Sequence, residues 1–292
     1  MDVEQSIRRL VRIALEEDVG PGDVTSLACL DPAPLRAVIV AKSAGVLSGV
    51  KPAALAFQMV DTATKVAPQR GDGNAFAAGD TIMKMEGFNQ PILAAERAAL
   101  NFLARLSGIA TLTARFVEAI RGTSCRILDT RKTTPGWRLL EKQAVVDGGG
   151  GNHRLGLYDM ILIKDNHIAA AGSVNEAVRK AREYLSSGQY EAQFGSGNRK
   201  PEIEVEVSNE EELKEAIACG ADRMLLDNQS VDSLERLVKT ARKINSGVKL
   251  EASGNVTLDN VAAIAATGVD FISIGALTHS APACDFSMKV IS

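Results

Sequence analysis

Apolar and polar positions along the chain follow two different rhythms. Over residues 4–17, Ile7, Leu10, Val11, Ile13, Ala14 and Leu15 recur among Arg8, Arg9 and Arg12, the spacing of an amphipathic helix. It should stop at Gly20-Pro21-Gly22, where glycine and proline punctuate the chain. Strand-like segments follow at 37–41, 64–67 and 81–87, parted by turns such as Arg70-Gly71-Asp72-Gly73, with a helix at about 51–60 among them. Together these predict a mixed α+β domain. Residues 91–120 are strongly helical in composition, with Leu93, Ala94, Ala95, Arg97, Ala98, Leu100, Leu103 and Leu106. The stretch has room for two helices broken near Ser107-Gly108, and no Gly/Ser linker interrupts it.

Beyond it, short apolar segments alternate with helical ones. Strands are expected at 126–130, 160–164, 203–207, 223–226, 249–252 and 271–275, with amphipathic stretches at 174–185, 209–218, 230–244 and 257–267 between the later ones. Ser173, Ser208 and Thr257 stand where helix N-caps belong. Strand, helix, strand at this spacing means parallel βα units. A closed barrel would need one or two strands beyond these six, which the pattern would have to hide around 145–152.

Composition narrows the class. The 292 residues are 46% hydrophobic and 24% charged, as in an ordinary globular protein. The net charge of −3 gives no sign of a nucleic-acid or anionic-membrane partner, so an anionic ligand must be met by local clusters of cations. Cys29, Cys125, Cys219 and Cys284 form no CxxC pair and read as reduced thiols. With neither a secretory pattern at the start nor a run of about 18 apolar residues, the expected compartment is the cytoplasm.

The chemistry gathers at strand ends, where barrel proteins carry function. Asp129-Thr130-Arg131-Lys132, Lys164-Asp165-Asn166-His167, Asp227-Asn228, Glu251-Ala252-Ser253-Gly254 and Gly275-Ala276 all follow or close predicted strands. In 203–207, Glu204 and Glu206 alternate with Val205 and Val207, so both carboxylates share one face and should point inward. Buried carboxylates need a cation or a metal, and Lys164, Arg131 and Lys132 are the candidate partners. The plainer alternative is a charge network that only orders the barrel top.

Two further patterns concern anions. Ser253-Gly254-Asn255 precedes a helix expected near Thr257, so its N–H groups could meet a phosphate at the positive helix end. Gly275-Ala276 adds a second late-strand turn; the bland reading is two tight βα turns. Residues 129–167 collect Arg131, Lys132, Arg138, Lys142, His153, Arg154, Lys164 and His167 around Gly148–Gly151. That density of cations in an acidic chain points to a strongly anionic small ligand, for which guanidinium groups are suited. Lys164 could instead form a Schiff base, as in barrel aldolases. His153 and His167, taken alone, read as packed or surface histidines, and His279 as structural.

At this point the motifs are long enough to compare. Thr130-Arg131-Lys132-Thr133-Thr134-Pro135-Gly136, Glu141-Lys142, Gly148 through Asn152-His153-Arg154, and Leu162-Ile163-Lys164-Asp165-Asn166-His167 closely resemble the signature of the quinolinate phosphoribosyltransferase family. Leu15–Gly20 with Gly22-Asp23-Val24-Thr25, Glu96-Arg97, Leu225-Leu226-Asp227-Asn228 and Gly275–Ser280 extend the resemblance over essentially the whole chain. It implies an N-terminal α/β sandwich domain over residues 1–115, joined by a C-terminal tail over 277–292. It also implies an incomplete parallel α/β barrel of about seven strands over 116–276.

The implied activity joins quinolinate to phosphoribosyl pyrophosphate, with Mg2+, in a homodimer with shared active sites and assembly beyond the dimer left open. Arg97 matches the residue reaching into the partner's site. Arg131, His153 and Arg154 match residues on quinolinate's two carboxylates, with Lys132 and Lys164 in the same cationic pocket near the phosphoribosyl donor. Glu204 and Asp227 match acidic residues near ribose and Mg2+, and Ser253, Gly254, Gly275 and Ala276 the phosphate cradle. Trp137, Gln143 and a long segment at 186–200, read as a mobile surface loop, depart from the usual pattern. Rival readings are a nicotinate-using relative, a molybdenum-transport-associated paralogue, a Lys164 Schiff-base lyase, and a non-catalytic binder of phosphorylated anions.

Overall fold

The computed structural model describes residues 3–195 and 200–291. The chain falls into two compact units: Met1–Arg115, Lys132–Gly151 and Gly275–Ser292 in the first, Phe116–Arg131 and Asn152–Ile274 in the second. The sequence-based division therefore differs in two places: 132–151 packs with the first unit rather than the barrel, and the C-terminal tail joins that unit from Gly275 rather than from 277.

In the first unit a four-stranded antiparallel sheet runs in the order Phe286–Ile291, Pro34–Ala41, Thr81–Phe88, Lys65–Pro68. Its register places Ala37 beside Met85 and Ile39 beside Met83. All four are fully buried, as strand alternation requires of one covered face. The amphipathic helix is Val3–Asp18, burying Ile7 and Val11. Helix Val50–Val60 buries Leu55, Ala56 and Phe57, and each large side chain so covered contributes about 1.5–3 kcal/mol.

The expected break at Ser107-Gly108 is absent: Asn89–Ala119 is one helix of 31 residues. Gly108 serves close approach instead, since a Cβ there would lie 2.2 Å from the Pro282 carbonyl oxygen. Ser107 is likewise committed, its hydroxyl accepting from the Ser48 N–H at 3.1 Å. No strand forms at 145–152, because helix Arg138–Asp147 runs into that stretch and the glycine turn that follows takes up most of the rest. Ser48 Oγ donates to Asp147 at 2.6 Å, and Trp137 stacks on Phe102 with ring centroids 4.8 Å apart. The unusual tryptophan is thus a packing residue. Gln143 donates to Asp147 at 2.9 Å on the surface.

The second unit holds six parallel strands, in the order Arg126–Leu128, Phe271–Ser273, Lys249–Ser253, Arg223–Asp227, Ile203–Val207, Ile161–Ile163. This is the incomplete barrel, with six strands among the described residues rather than seven. Ile203, Val205, Val207, Met224 and Leu226 are fully buried. Helices Val174–Ser186, Glu210–Ala218 and Val231–Ile244 are capped by Ser173, Asn209 and Ser230, whose side chains accept from Glu176, Glu212 and Ser233 N–H groups. The cap expected at Ser208 falls on its neighbour.

Two further expectations change. The helix placed near Thr257 begins at Val261, and the Thr257 N–H donates to Asn260 at 2.8 Å within the preceding turn. Within 186–200 a short helix, Gln189–Phe194, buries Tyr190; residues 196–199 of that stretch lie outside the described residues. Among the described residues no helix is long and apolar enough to cross a membrane.

Candidate active site

In the second unit, strand alternation does put Glu204 and Glu206 on one side of Ile203–Val207, but at two depths. Glu204 is fully buried and its Oε2 lies 2.9 Å from His153 Nε2. Parallel pairing sets it opposite Arg223, and Arg223 in turn sits opposite Lys249 on the next strand. Glu251, also fully buried, lies 3.5 Å from the same imidazole nitrogen and accepts from Arg223 at 3.0 Å. Arg223 donates to Glu202 at 3.2 Å and covers the Phe271 ring at 4.2 Å.

This buried layer shifts its own titrations. Burial, then the Glu204 charge, pushes the Glu251 carboxyl up to about 7. Burial alone would lower the His153 pKa, but the hydrogen bond to Glu204 and the Glu251 charge outweigh it, so the net direction is up. Glu204 Oε1 and Glu251 Oε1 are buried without a hydrogen-bond partner. With His153 they bring three ligand-type atoms within 4.8 Å of one another. Metal binding there meets an obstacle: the Arg154 N–H donates to His153 Nδ1 at 2.7 Å, so the Nε2 facing the carboxylates carries the proton.

The shallower layer lies at the strand ends. Glu206 Oε2 is 3.1 Å from the Lys164 ammonium, and Lys164 is exposed. The predicted pairing of Lys164 with a barrel glutamate is therefore present, but at Glu206. Arg154 is partly buried, and burial, followed by the positive charge of Arg131, lowers its pKa. Two guanidinium groups that oppose each other electrostatically favour an anion. His167 Nδ1 accepts the Lys164 N–H at 3.0 Å, so this histidine caps its own helix.

Asp227 closes its strand half-buried. The adjacent Asn228 (φ 52°), Gly254 (φ 92°) and Asn255 (φ 51°) are all left-handed, costly for the two asparagines. They interlock: Asn255 donates to Asn228 Oδ1 at 3.2 Å and the Asn228 N–H to the Ser253 carbonyl at 2.8 Å. A Cβ at Gly254 would fall 2.1 Å from Asn228 Oδ1, so only glycine fits. Ser253-Gly254-Asn255 thus forms a turn locked to Asp227-Asn228, not the first turn of a helix.

The remaining candidates belong to the first unit. Lys132 runs over Gly275, where a Cβ would meet its Cδ at 2.9 Å and His279 Nε2 at 3.2 Å. Ala276 opens the four-residue helix Ala276–His279. Arg97 is exposed on helix Asn89–Ala119. Sequence reasoning gave Glu251 no role beyond its place at a strand end, read His279 as structural, and missed Arg223. Glu251 had a signal, since Glu251-Ala252-Ser253 alternates as Glu204-Val205-Glu206 does; Arg223, at a strand start, had none.

A family model described as "Quinolinate phosphoribosyl transferase, C-terminal domain" matches residues 109–289, and the corresponding N-terminal domain matches residues 23–107. The chain belongs to the quinolinate phosphoribosyltransferase family. It is 42% identical over 284 residues, 97% of this chain and 93% of the relative, to a "Probable nicotinate-nucleotide pyrophosphorylase [carboxylating]" of Bacillus subtilis. A similarly named protein of Archaeoglobus fulgidus is 40% identical over 92% of this chain and 98% of its own length. The solved nicotinate-nucleotide pyrophosphorylase from Francisella tularensis superposes with a TM-score of 0.91 at 39% identity, covering 100% of this chain and 98% of that one.

Proposed function

We propose that this chain transfers a phosphoribosyl group from phosphoribosyl pyrophosphate to quinolinate, releasing pyrophosphate and CO2 and leaving nicotinate mononucleotide for NAD biosynthesis. The observation carrying this reading is the electrostatics of the strand ends: Arg131, Arg154 and Lys164 concentrate positive charge in a chain of net charge −3. A diacid with a polyphosphorylated partner suits that charge; a monoacid needs less of it.

The buried layer revises two assignments. His153 has both ring nitrogens engaged within the protein, so recognition of the two carboxylates is assigned to Arg131 and Arg154, with His153 holding the Arg154 backbone. Glu206, not Glu204, is the carboxylate assigned to the reaction with Asp227, because Glu204 lies two residues deeper and fully enclosed. Oxygen donors such as Glu206 and Asp227 suit a hard cation, and Mg2+ held by them would offset charge on pyrophosphate. Their own negative charge would stabilise an oxocarbenium-like ribose C1. Lys132 and Lys164 would neutralise donor phosphates, with Gly254 and Gly275 leaving backbone N–H groups approachable.

Attack by the pyridine nitrogen leaves that nitrogen cationic, which stabilises the carbanion formed as the adjacent carboxylate departs as CO2. Arg97, exposed on its helix, is assigned to the neighbouring site of a homodimer. The four free cysteines fit a reducing cytoplasm. The test is direct. Purified protein with quinolinate, phosphoribosyl pyrophosphate and Mg2+ should form nicotinate mononucleotide and CO2, and EDTA should stop it. Turnover of nicotinate with quinolinate left untouched would overturn the reading.

A further inference from the structure

The segment carrying Lys132 has no strand or helix of its own from Arg131 to Gly136, so beyond the turn bond from the Trp137 N–H to the Thr134 carbonyl it needs an anchor from side chains. Glu141 supplies it. This carboxylate is fully buried and accepts four hydrogen bonds. Arg105 donates to Oε1 through Nε at 3.2 Å and Nη2 at 2.8 Å. Thr134 donates its hydroxyl to Oε1 at 2.8 Å and its N–H to Oε2 at 3.0 Å. The same guanidinium reaches the chain after Gly275, donating to the Ala281 carbonyl at 3.3 Å and to the Thr278 carbonyl. Thr278, fully buried, closes the circuit by donating from Oγ1 to the Lys132 carbonyl at 2.7 Å.

One ion pair therefore fixes both sides of a narrow gap: the backbone at 132–134 and the turn that begins at Gly275. Across that gap lie the Lys132 side chain and the glycine whose missing Cβ would stand 2.9 Å from its Cδ. We propose that Arg105 and Glu141 are positioning residues that set the Lys132 ammonium over the Gly275 turn, and that they act on the phosphoribosyl donor only through Lys132. This rests on the assignment of Lys132 and Gly275 to the donor made above. A charged group displaced by about 1 Å can cost on the order of 100-fold in rate, so the pair matters without touching substrate.

The experiment is a double-mutant cycle between Glu141→Gln and Lys132→Ala, repeated with the milder Arg105→Lys, which keeps the charge and loses the fork. In the otherwise wild-type chain, Glu141→Gln and Arg105→Lys should raise KM for the donor or lower kcat by about 10-fold or more, leaving quinolinate affinity within about 2-fold. In the Lys132→Ala background the same changes should add less than about 2-fold. Independent, fully multiplying effects, or equal loss of affinity for both substrates, would overturn the proposal and leave the pair merely structural. Hydrogen exchange reads the clamp without catalysis: amides at 132–136 should exchange faster in Glu141→Gln than in wild type, and unchanged exchange there would also overturn it. A wild-type protein inactive on quinolinate, with that exchange result intact, would instead count against the proposed reaction alone.

Discussion

Replacing Glu251 by glutamine tests whether a proton holds the deepest layer of the barrel. The Glu251 carboxyl is fully buried, 3.5 Å from His153 Nε2 and 3.0 Å from Arg223. Burial, then the Glu204 charge, moves its pKa from 4.5 to about 7. A raised value means that the folded chain binds this proton more tightly than the unfolded chain does. The resulting stability is complete below pH 4.5 and is lost as the pH rises through about 7. At about 1.4 kcal/mol for each tenfold change in proton affinity, the loss amounts to roughly 3 kcal/mol. His153, also shifted upward, acts in the same direction. Glutamine resembles the protonated acid and does not titrate. Urea unfolding at about pH 5 should find the variant within about 1 kcal/mol of wild type, whereas at about pH 8 it should have kept most of the roughly 3 kcal/mol that wild type loses. Stability curves that stay parallel across this range would refute the reasoning.

Three other outcomes follow from the geometry. Arg223→Met removes the guanidinium that serves both Glu251 and Glu202 and should cost about 3–5 kcal/mol in urea unfolding, part of it recovered when Glu251→Gln is added. Gly108→Ala drives a methyl against the Pro282 carbonyl at 2.2 Å, which should cost about 1–3 kcal/mol and speed proteolysis near 282–285. Glu206→Gln should lower kcat on the order of 100-fold with little change in melting, whereas Glu204→Gln, deeper and bonded to His153, should show its main loss in melting temperature.

The barrel was legible because parallel strands covered on both faces read as short apolar runs, and 203–207, 223–226 and 249–252 all fall on observed strands. Alternation also placed Glu204 and Glu206 on one face. It carried no information on depth, which depends on how far each strand runs toward the mouth; the Lys164 contact settled that for Glu206. Ser107-Gly108 read as a helix break because local propensity is blind to a neighbouring backbone 174 positions away, which the Gly108–Pro282 approach supplies. The expectation that Ser253-Gly254-Asn255 stands at the first turn of a helix did not hold. The helix begins later, and the turn's shape comes instead from the left-handed Asn228, Gly254 and Asn255.

The strand Phe286–Ile291 pairs with residues 36–41 of strand Pro34–Ala41, with Val38 opposite Lys289. During synthesis, then, Pro34–Ala41 leaves the ribosome with one edge unmatched and waits for almost the entire barrel to be made before its partner exists. An unmatched edge is an invitation to pair with another chain. The order of events is thus imposed by connectivity: the unit that begins first closes last, and nascent chains stalled before Phe286 should be the ones that chaperones retain.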